Sequence, residues 1–130
     1  MSGSLDSAGS AITIAVKNGI AVLSFPDKVF QKRQAEAFKA YLAEARQHNF
    51  RLILDLSDCA YISSDGLGAT ARCWKLCNED NLGRMAIVFS DATDDEVRHL
   101  FEIIGLTRVV GAAIYPSVDE AISHLNTRDS

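Results

Sequence analysis

The sequence has no surplus of basic residues: 13 Lys and Arg stand against 17 Asp and Glu, a formal net charge of −4. A nucleic-acid-binding domain ordinarily carries a basic face, and anionic lipid attracts polybasic clusters. The charge balance argues against both kinds of partner. No apolar run approaches the roughly 20 residues that span a bilayer; the longest, such as 109–115, are strand-sized. The first ten residues, MSGSLDSAGS, lack the charged and apolar regions of a secretory signal. They read as a disordered leader, and residues 126–130 read as a flexible tail. Three cysteines are an odd number without a disulfide-framework spacing, so reduced thiols and a cytoplasmic location are expected.

The motifs of common enzyme classes are missing too. There is no HExxH pair and no Gly-rich phosphate loop of the Walker or dinucleotide type. His48, His99 and His124 are scattered along the chain. Cys73 and Cys77 lie one helical turn apart, but no neighbouring Cys or His in the sequence completes a ligand set. Asp55 and Asp58 flank a turn; Asp58 reads as a turn residue, and Asp55 as the end of the preceding strand near Ser64. With no nucleophile, base and orienting group to name, no catalytic residue, metal or cofactor is expected.

What is present is a strongly patterned chain of one-domain length, 130 residues with 48% hydrophobic side chains. Residues 11–16 (AITIAV) and 20–25 (IAVLSF) are β-rich runs separated by Lys17, Asn18 and Gly19, and Asn-Gly between apolar runs signals a hairpin. From Gln31 to His48, Ala35, Phe38, Leu42 and Ala45 recur at helical spacing. Residues 50–57 (FRLILDLS) hold a continuous apolar core, as in a strand covered on both faces. A helix is expected from Ser64 or Asp65 to Glu79, with Leu67, Thr70 or Ala71, Trp74 and Cys77 inward. Residues 84–90 read as a strand. Asp91 and Thr93 are candidate N-caps of the next helix, which carries Val97, Leu100, Phe101 and Ile104 inward and ends at Gly105. A short strand at 112–115 and a helix at 116–125 follow, the latter capped by Ser117 with Glu120 three residues on. The order ββαβαβαβα predicts an α/β domain over 11–125 with a mixed, mostly parallel sheet, an N-terminal antiparallel pair and about four helices.

The stretch LILDLSDCAYISSDGLG (52–68) places a buried strand, a short turn and a serine at the start of a helix. It resembles the signature of the STAS family, named for sulfate transporters and anti-sigma factor antagonists, whose members often read ISSAGL or DSSGLG here. Residues 97–125, VRHLFEIIGLTRVVGAAIYPSVDEAISHL, are similar to the family's closing helix–strand–helix. Two departures stand out. Residues 25–30 read FPDKVF where the family often has a Gly-x-Leu-Asp element, and Asp65 stands where many relatives carry serine or alanine.

The resemblance implies a regulatory binding module of the anti-sigma factor antagonist type rather than an enzyme. Ser64 would accept a phosphate from a partner serine kinase of the GHKL type that is itself the anti-sigma factor, and a PP2C-type phosphatase would remove it. Ser63, Asp65, Gly66 and Leu67 would shape the docking surface, bordered by Asp27 and Lys28. Two other readings stay open: a constitutive STAS scaffold subunit of a transport or stress-signalling complex, and a small-molecule-sensing domain. SSDG before a helix is also simply what an N-cap looks like.

Overall fold

In the computed structural model the described residues are 11–45, 50–78, 83–103, 105 and 114–128. Strands β1 (Thr13–Lys17) and β2 (Ile20–Ser24) form the hairpin that Asn-Gly signals. Asn18 and Gly19 both adopt positive φ, 55° and 79°, the conformation that a two-residue type I′ turn requires. The turn sets the antiparallel register, Lys17 opposite Ile20 through Thr13 opposite Ser24.

After β2 come β3 (Val29–Phe30), α1 (Lys32–Ala45), β4 (Phe50–Asp55), β5 (Tyr61–Ile62), α2 (Ser64–Asn78), β6 (Gly83–Val88), α3 (Asp95–Ile103), β7 (Ile114–Tyr115) and α4 (Val118–Arg128). The main sheet has the order β1-β2-β4-β6-β7. Every pairing after the first hairpin is parallel. The expected mixed, mostly parallel sheet is therefore present, with four helices among the described residues.

Alternation along the central strands divides the core. Leu23, Leu52, Leu54, Met85 and Ile87 pack with Phe38 and Leu42 of α1, Leu67 and Cys73 of α2, and Val97 and Phe101 of α3. Ile20, Val22, Ile53, Ala86 and Val88 face Ala121, Ile122 and Leu125 of α4. Among the described residues, three helices thus cover one face and one helix covers the other, which is why the IAVL and LIL runs are apolar throughout.

Three local expectations need correction. The inward row of α2 is Ala69, Thr70, Cys73 and Leu76 together with Leu67; Trp74 and Cys77 are only half-buried and Ala71 is exposed. The helix is turned so that small Gly66 and Ala69 approach the core, and buried Thr70 satisfies its hydroxyl by donating to the Gly66 carbonyl at 2.9 Å. The cap of α3 is Asp94, whose Oδ1 accepts the Glu96 amide at 2.8 Å, and neither Asp91 nor Thr93 plays that part. Thr93 is buried and committed to other bonds. Finally, α4 continues to Arg128, through the start of the segment expected as a tail. Ile104, His48 and residues 112–113 lie outside the described residues.

Two caps match expectation closely. Ser117 Oγ accepts the Glu120 amide at 3.2 Å. The Gly105 amide donates to the Glu102 carbonyl at 3.0 Å with φ of 80°, the left-handed geometry of a helix stop.

Candidate functional site

The site is assembled by a pairing too short to be read from periodicity. β3 and β5 form a two-stranded parallel ladder, Val29 against Tyr61 and Phe30 against Ile62. It joins the loop after β2 to the loop after β4 and delivers the chain into α2 at a fixed position. Phe30 is fully buried, stacked on Phe25 at 4.6 Å and edge-on to Phe38 at 5.9 Å. Its carbonyl accepts the Ser63 amide at 3.0 Å. Lys28, held at φ 62°, offers its carbonyl to the Ala60 amide at 2.7 Å. Exposed Asp27 and Lys28 are thereby brought beside the segment that leads to α2.

Ser63 is the N-cap of α2. Its Oγ accepts the Gly66 amide in a long bond of 3.4 Å, and its carbonyl accepts the Leu67 amide at 3.0 Å. Capping is therefore assigned to Ser63, which leaves Ser64 as the first helical residue. Ser64 is exposed, and among the described residues its hydroxyl has no hydrogen-bond partner. Asp65 is exposed beside it. The amides of Ser64 and Asp65 are orphan donors of the first turn, at the positive end of the helix dipole.

Gly66 and Leu67 do not belong to the surface: both are buried. A β-carbon on Gly66 would run into the Phe30 carbonyl and stand 2.8 Å from Ile62 Cγ1. These two residues seat the helix start from beneath. Gly68 is exposed, and a β-carbon added there would have nothing within 4 Å, so it leaves the outer face of the first turns bare. Sequence reasoning missed Tyr61, an exposed aromatic (46%) on β5, immediately before the helix start. The signal was available in the Tyr-Ile pair, since neighbours on a strand face opposite ways and Ile62 is buried.

The loop is braced from the segment that leads into α3. The Thr93 hydroxyl lies 2.7 Å from the Leu56 carbonyl and 3.0 Å from that of Ser57, and accepts the Ser90 amide at 2.9 Å. The Asp94 amide donates to the Cys59 carbonyl at 3.0 Å. Asp55 ends β4, as expected, and its Oδ1 accepts the Ser57 amide at 3.0 Å.

The remaining titratable groups do not gather here. Cys73 hydrogen-bonds Cys77; this bond and burial push the Cys73 thiol well above its ordinary range, while the same bond lowers that of Cys77. His99 lies 3.7 Å from Glu102, and the His124 ring packs on Tyr115 at 4.9 Å. Among the described residues no cluster of three His, Cys, Asp or Glu side chains is placed to hold a metal. No helix among them is long and apolar enough to cross a membrane. A cleft of about 280 Å³ lined by Lys39, Leu42, Ala43, Arg72 and Leu76 lies farther along α1 and α2, away from Ser64.

Two solved structures share the architecture over nearly the whole chain. A protein assigned as an anti-sigma factor antagonist from Thermotoga maritima superposes with a TM-score of 0.71 at 20% identity, covering 92% of this chain and 97% of that one. An anti-sigma factor antagonist from Mycobacterium paratuberculosis gives 0.65 at 18% identity, covering 88% and 92%. At such identities the likeness speaks to fold. None of the curated proteins matches in sequence. The STAS domain model matches residues 11–121, taking in the hairpin, the β3–β5 ladder and the Ser63–Ser64 helix start, and the chain therefore belongs to the STAS domain family.

Proposed function

We propose that this protein is a regulatory binding module of the anti-sigma factor antagonist type, without catalytic activity of its own, switched by phosphorylation of Ser64. The observation that carries the reading is the division of labour between two serines. Ser63 caps the helix, and Ser64 stands exposed on its first turn with an uncommitted hydroxyl. A kinase can use Ser64 without dismantling the cap. The names of the two similar structures support the same class of partner.

The physical logic needs no change of fold. A phosphate on Ser64 meets orphan amides and a favourable dipole, worth about 0.3–1 kcal/mol at an exposed helix start. In an interface the same group adds about −1.5 to −2 charges. Weakening a complex from nanomolar to micromolar takes about 4 kcal/mol, within reach of like-charge apposition across an interface. Exposed Asp65 already sets a negative charge beside the acceptor. The docking surface comprises Ser64 and Asp65 with half-buried Ser63 at its base, bordered by Asp27 and Lys28, while Gly66 and Leu67 act by fixing the helix. The partner is a GHKL-type serine kinase that is also the anti-sigma factor, and a PP2C-type phosphatase restores the hydroxyl. Both reactions belong to the cytoplasm, and the partner binds the ATP.

The test is affinity capture from the source organism with wild type, Ser64→Ala and Ser64→Glu as baits, followed by mass spectrometry. The expected result is a serine kinase held by wild type and Ser64→Ala and lost with Ser64→Glu. The kinase should also transfer phosphate to wild type and not to Ser64→Ala. Equal capture of one partner by all three baits would reject the switch.

A further inference from the structure

The opening strand has an edge that the proposed switch at Ser64 does not use. All five residues of β1 are exposed, Val16 at 73% and Ile14 at 43%. β1 pairs with β2 on one side, and among the described residues no strand pairs with its other side. The hairpin dictates which backbone groups face outward. Across a two-residue turn the flanking pair, Lys17 and Ile20, exchanges hydrogen bonds, and alternation makes Ala15–Val22 and Thr13–Ser24 the other bonded pairs. The amides and carbonyls of Ile14 and Val16 therefore point along the free edge.

Natural edge strands are commonly blunted by proline, a bulge or a charge within the strand. β1 has none of these at its centre: it reads Thr-Ile-Ala-Val-Lys, with its single charge at the end. The strand is also complementary to itself. When a second β1 runs antiparallel with Ala15 opposite Ala15, Ile14 faces the second copy's Val16, and the two exchange both hydrogen bonds; the symmetric pair does the same. Lys17 falls opposite the second copy's Thr13, so no like charges meet. Ile14 and Val16 share one sheet face, as their partners Leu23 and Ala21 show by belonging to one side of the core. The two-fold relation therefore sets apolar against apolar.

We propose that β1 is a self-association edge, through which two copies of this chain pair antiparallel about Ala15 and join their five-stranded sheets. The contact is one short strand from each copy. That is less than the 1,200 Å² or so of total buried surface typical of stable complexes, so the association is transient. It lies on the hairpin edge, carried by residues outside the Ser63–Ser64 site.

Cysteine trapping tests the register directly. Ala15 would be a non-hydrogen-bonded pair with its counterpart, with α-carbons about 4.5 Å apart, within the range a disulfide needs. Lys17 and its counterpart would stand four residues apart along the strand, about 13 Å. In a Cys77→Ser background, which leaves only the buried Cys59 and Cys73, Ala15→Cys is expected to form a disulfide-linked dimer under mild oxidation at least tenfold faster than Lys17→Cys. Adding Val16→Lys to Ala15→Cys should slow the trapping by a similar factor, with circular dichroism and melting temperature confirming that the domain is folded. Equal rates for the two cysteine positions, or a rate unmoved by Val16→Lys in a folded protein, would overturn the proposal.

Discussion

The carbonyl of Phe30 closes the space above Gly66, so that helix α2 begins in contact with the backbone of β3. The position two residues on is open: a β-carbon on Gly68 would meet nothing within 4 Å. These two glycines therefore respond to the same substitution with opposite signs. Gly66→Ala forces backbone or core atoms to move and is expected to destabilise the domain by about 1–3 kcal/mol, the range for overpacking. Gly68→Ala removes a flexible residue from an exposed helical position and is expected to stabilise by about 0.5–1 kcal/mol. Urea unfolding of the two variants against wild type measures both signs. A neutral Gly66→Ala would show that the helix start is free to shift.

The adjacent serines separate in the same way. Ser63→Ala removes the acceptor for the Gly66 amide and is expected to cost about 0.5–2 kcal/mol, as for other N-cap losses. Ser64→Ala removes an exposed hydroxyl without a bonded partner and should stay within about 0.5 kcal/mol of wild type. Unfolding free energies near this ranking would establish that Ser63 carries structure and leaves Ser64 to other uses. The reverse ranking would place the cap one residue later.

Much of this arrangement was legible in the sequence, and the exceptions have physical causes. The hairpin, the buried central strands and the Ser117 cap follow from turn chemistry and period-two or helical patterning. β3 and β5 escaped because each is two residues long, too short for any alternation to register. Their existence depends on the pairing of loops distant in sequence. The tilt of α2 escaped because Gly66 and Ala69 approach the core by being small, whereas a hydrophobic stripe is sought through its large residues, Trp74 among them. Gly66 is assigned to the docking surface from motif position alone, which reveals proximity to Ser64 and not the direction in which a residue faces; Leu67, read both as inward and as part of that surface, is buried.

Thr93 shows how a residue outside the motif supports it. Its hydroxyl is buried between the Leu56 and Ser57 carbonyls and also receives the Ser90 amide. Thr93→Val keeps the shape and deletes these bonds, stranding an amide and weakening the satisfaction of two carbonyls. The expected loss is about 1–3 kcal/mol. Amide hydrogen exchange should report faster exchange at Ser90 and in the 56–61 loop. Unchanged protection there would mean that the β3–β5 ladder alone holds the loop.

The three thiols should differ in reactivity and in their effect on alkaline stability. Burial raises Cys59 from its ordinary value of 9.0. The bond from Cys73 lowers Cys77 and raises Cys73. Since the thiolate is the nucleophile, Cys77 is expected to be alkylated first by iodoacetamide at pH 8, with Cys59 and Cys73 protected until the fold opens. Cys73→Ala removes the donor to Cys77 and should slow its labelling, which distinguishes the hydrogen bond from mere exposure. The stability consequence has a definite sign. Cys59, Cys73 and Tyr41, the last raised by burial from 10.0 and secondarily by Cys73, keep their protons in the folded state above the pH at which the unfolded chain releases them. The unfolded state then binds fewer protons, so unfolding free energy falls as pH rises through this region. Lowered Cys77 acts in the opposite sense and offsets part of the loss. The melting temperature is therefore expected to fall as pH rises above about 9, and less steeply in Cys59→Ala once its own neutral-pH loss is subtracted. A slope unchanged by Cys59→Ala would mean that this thiol ionises in the folded protein as readily as in the unfolded one.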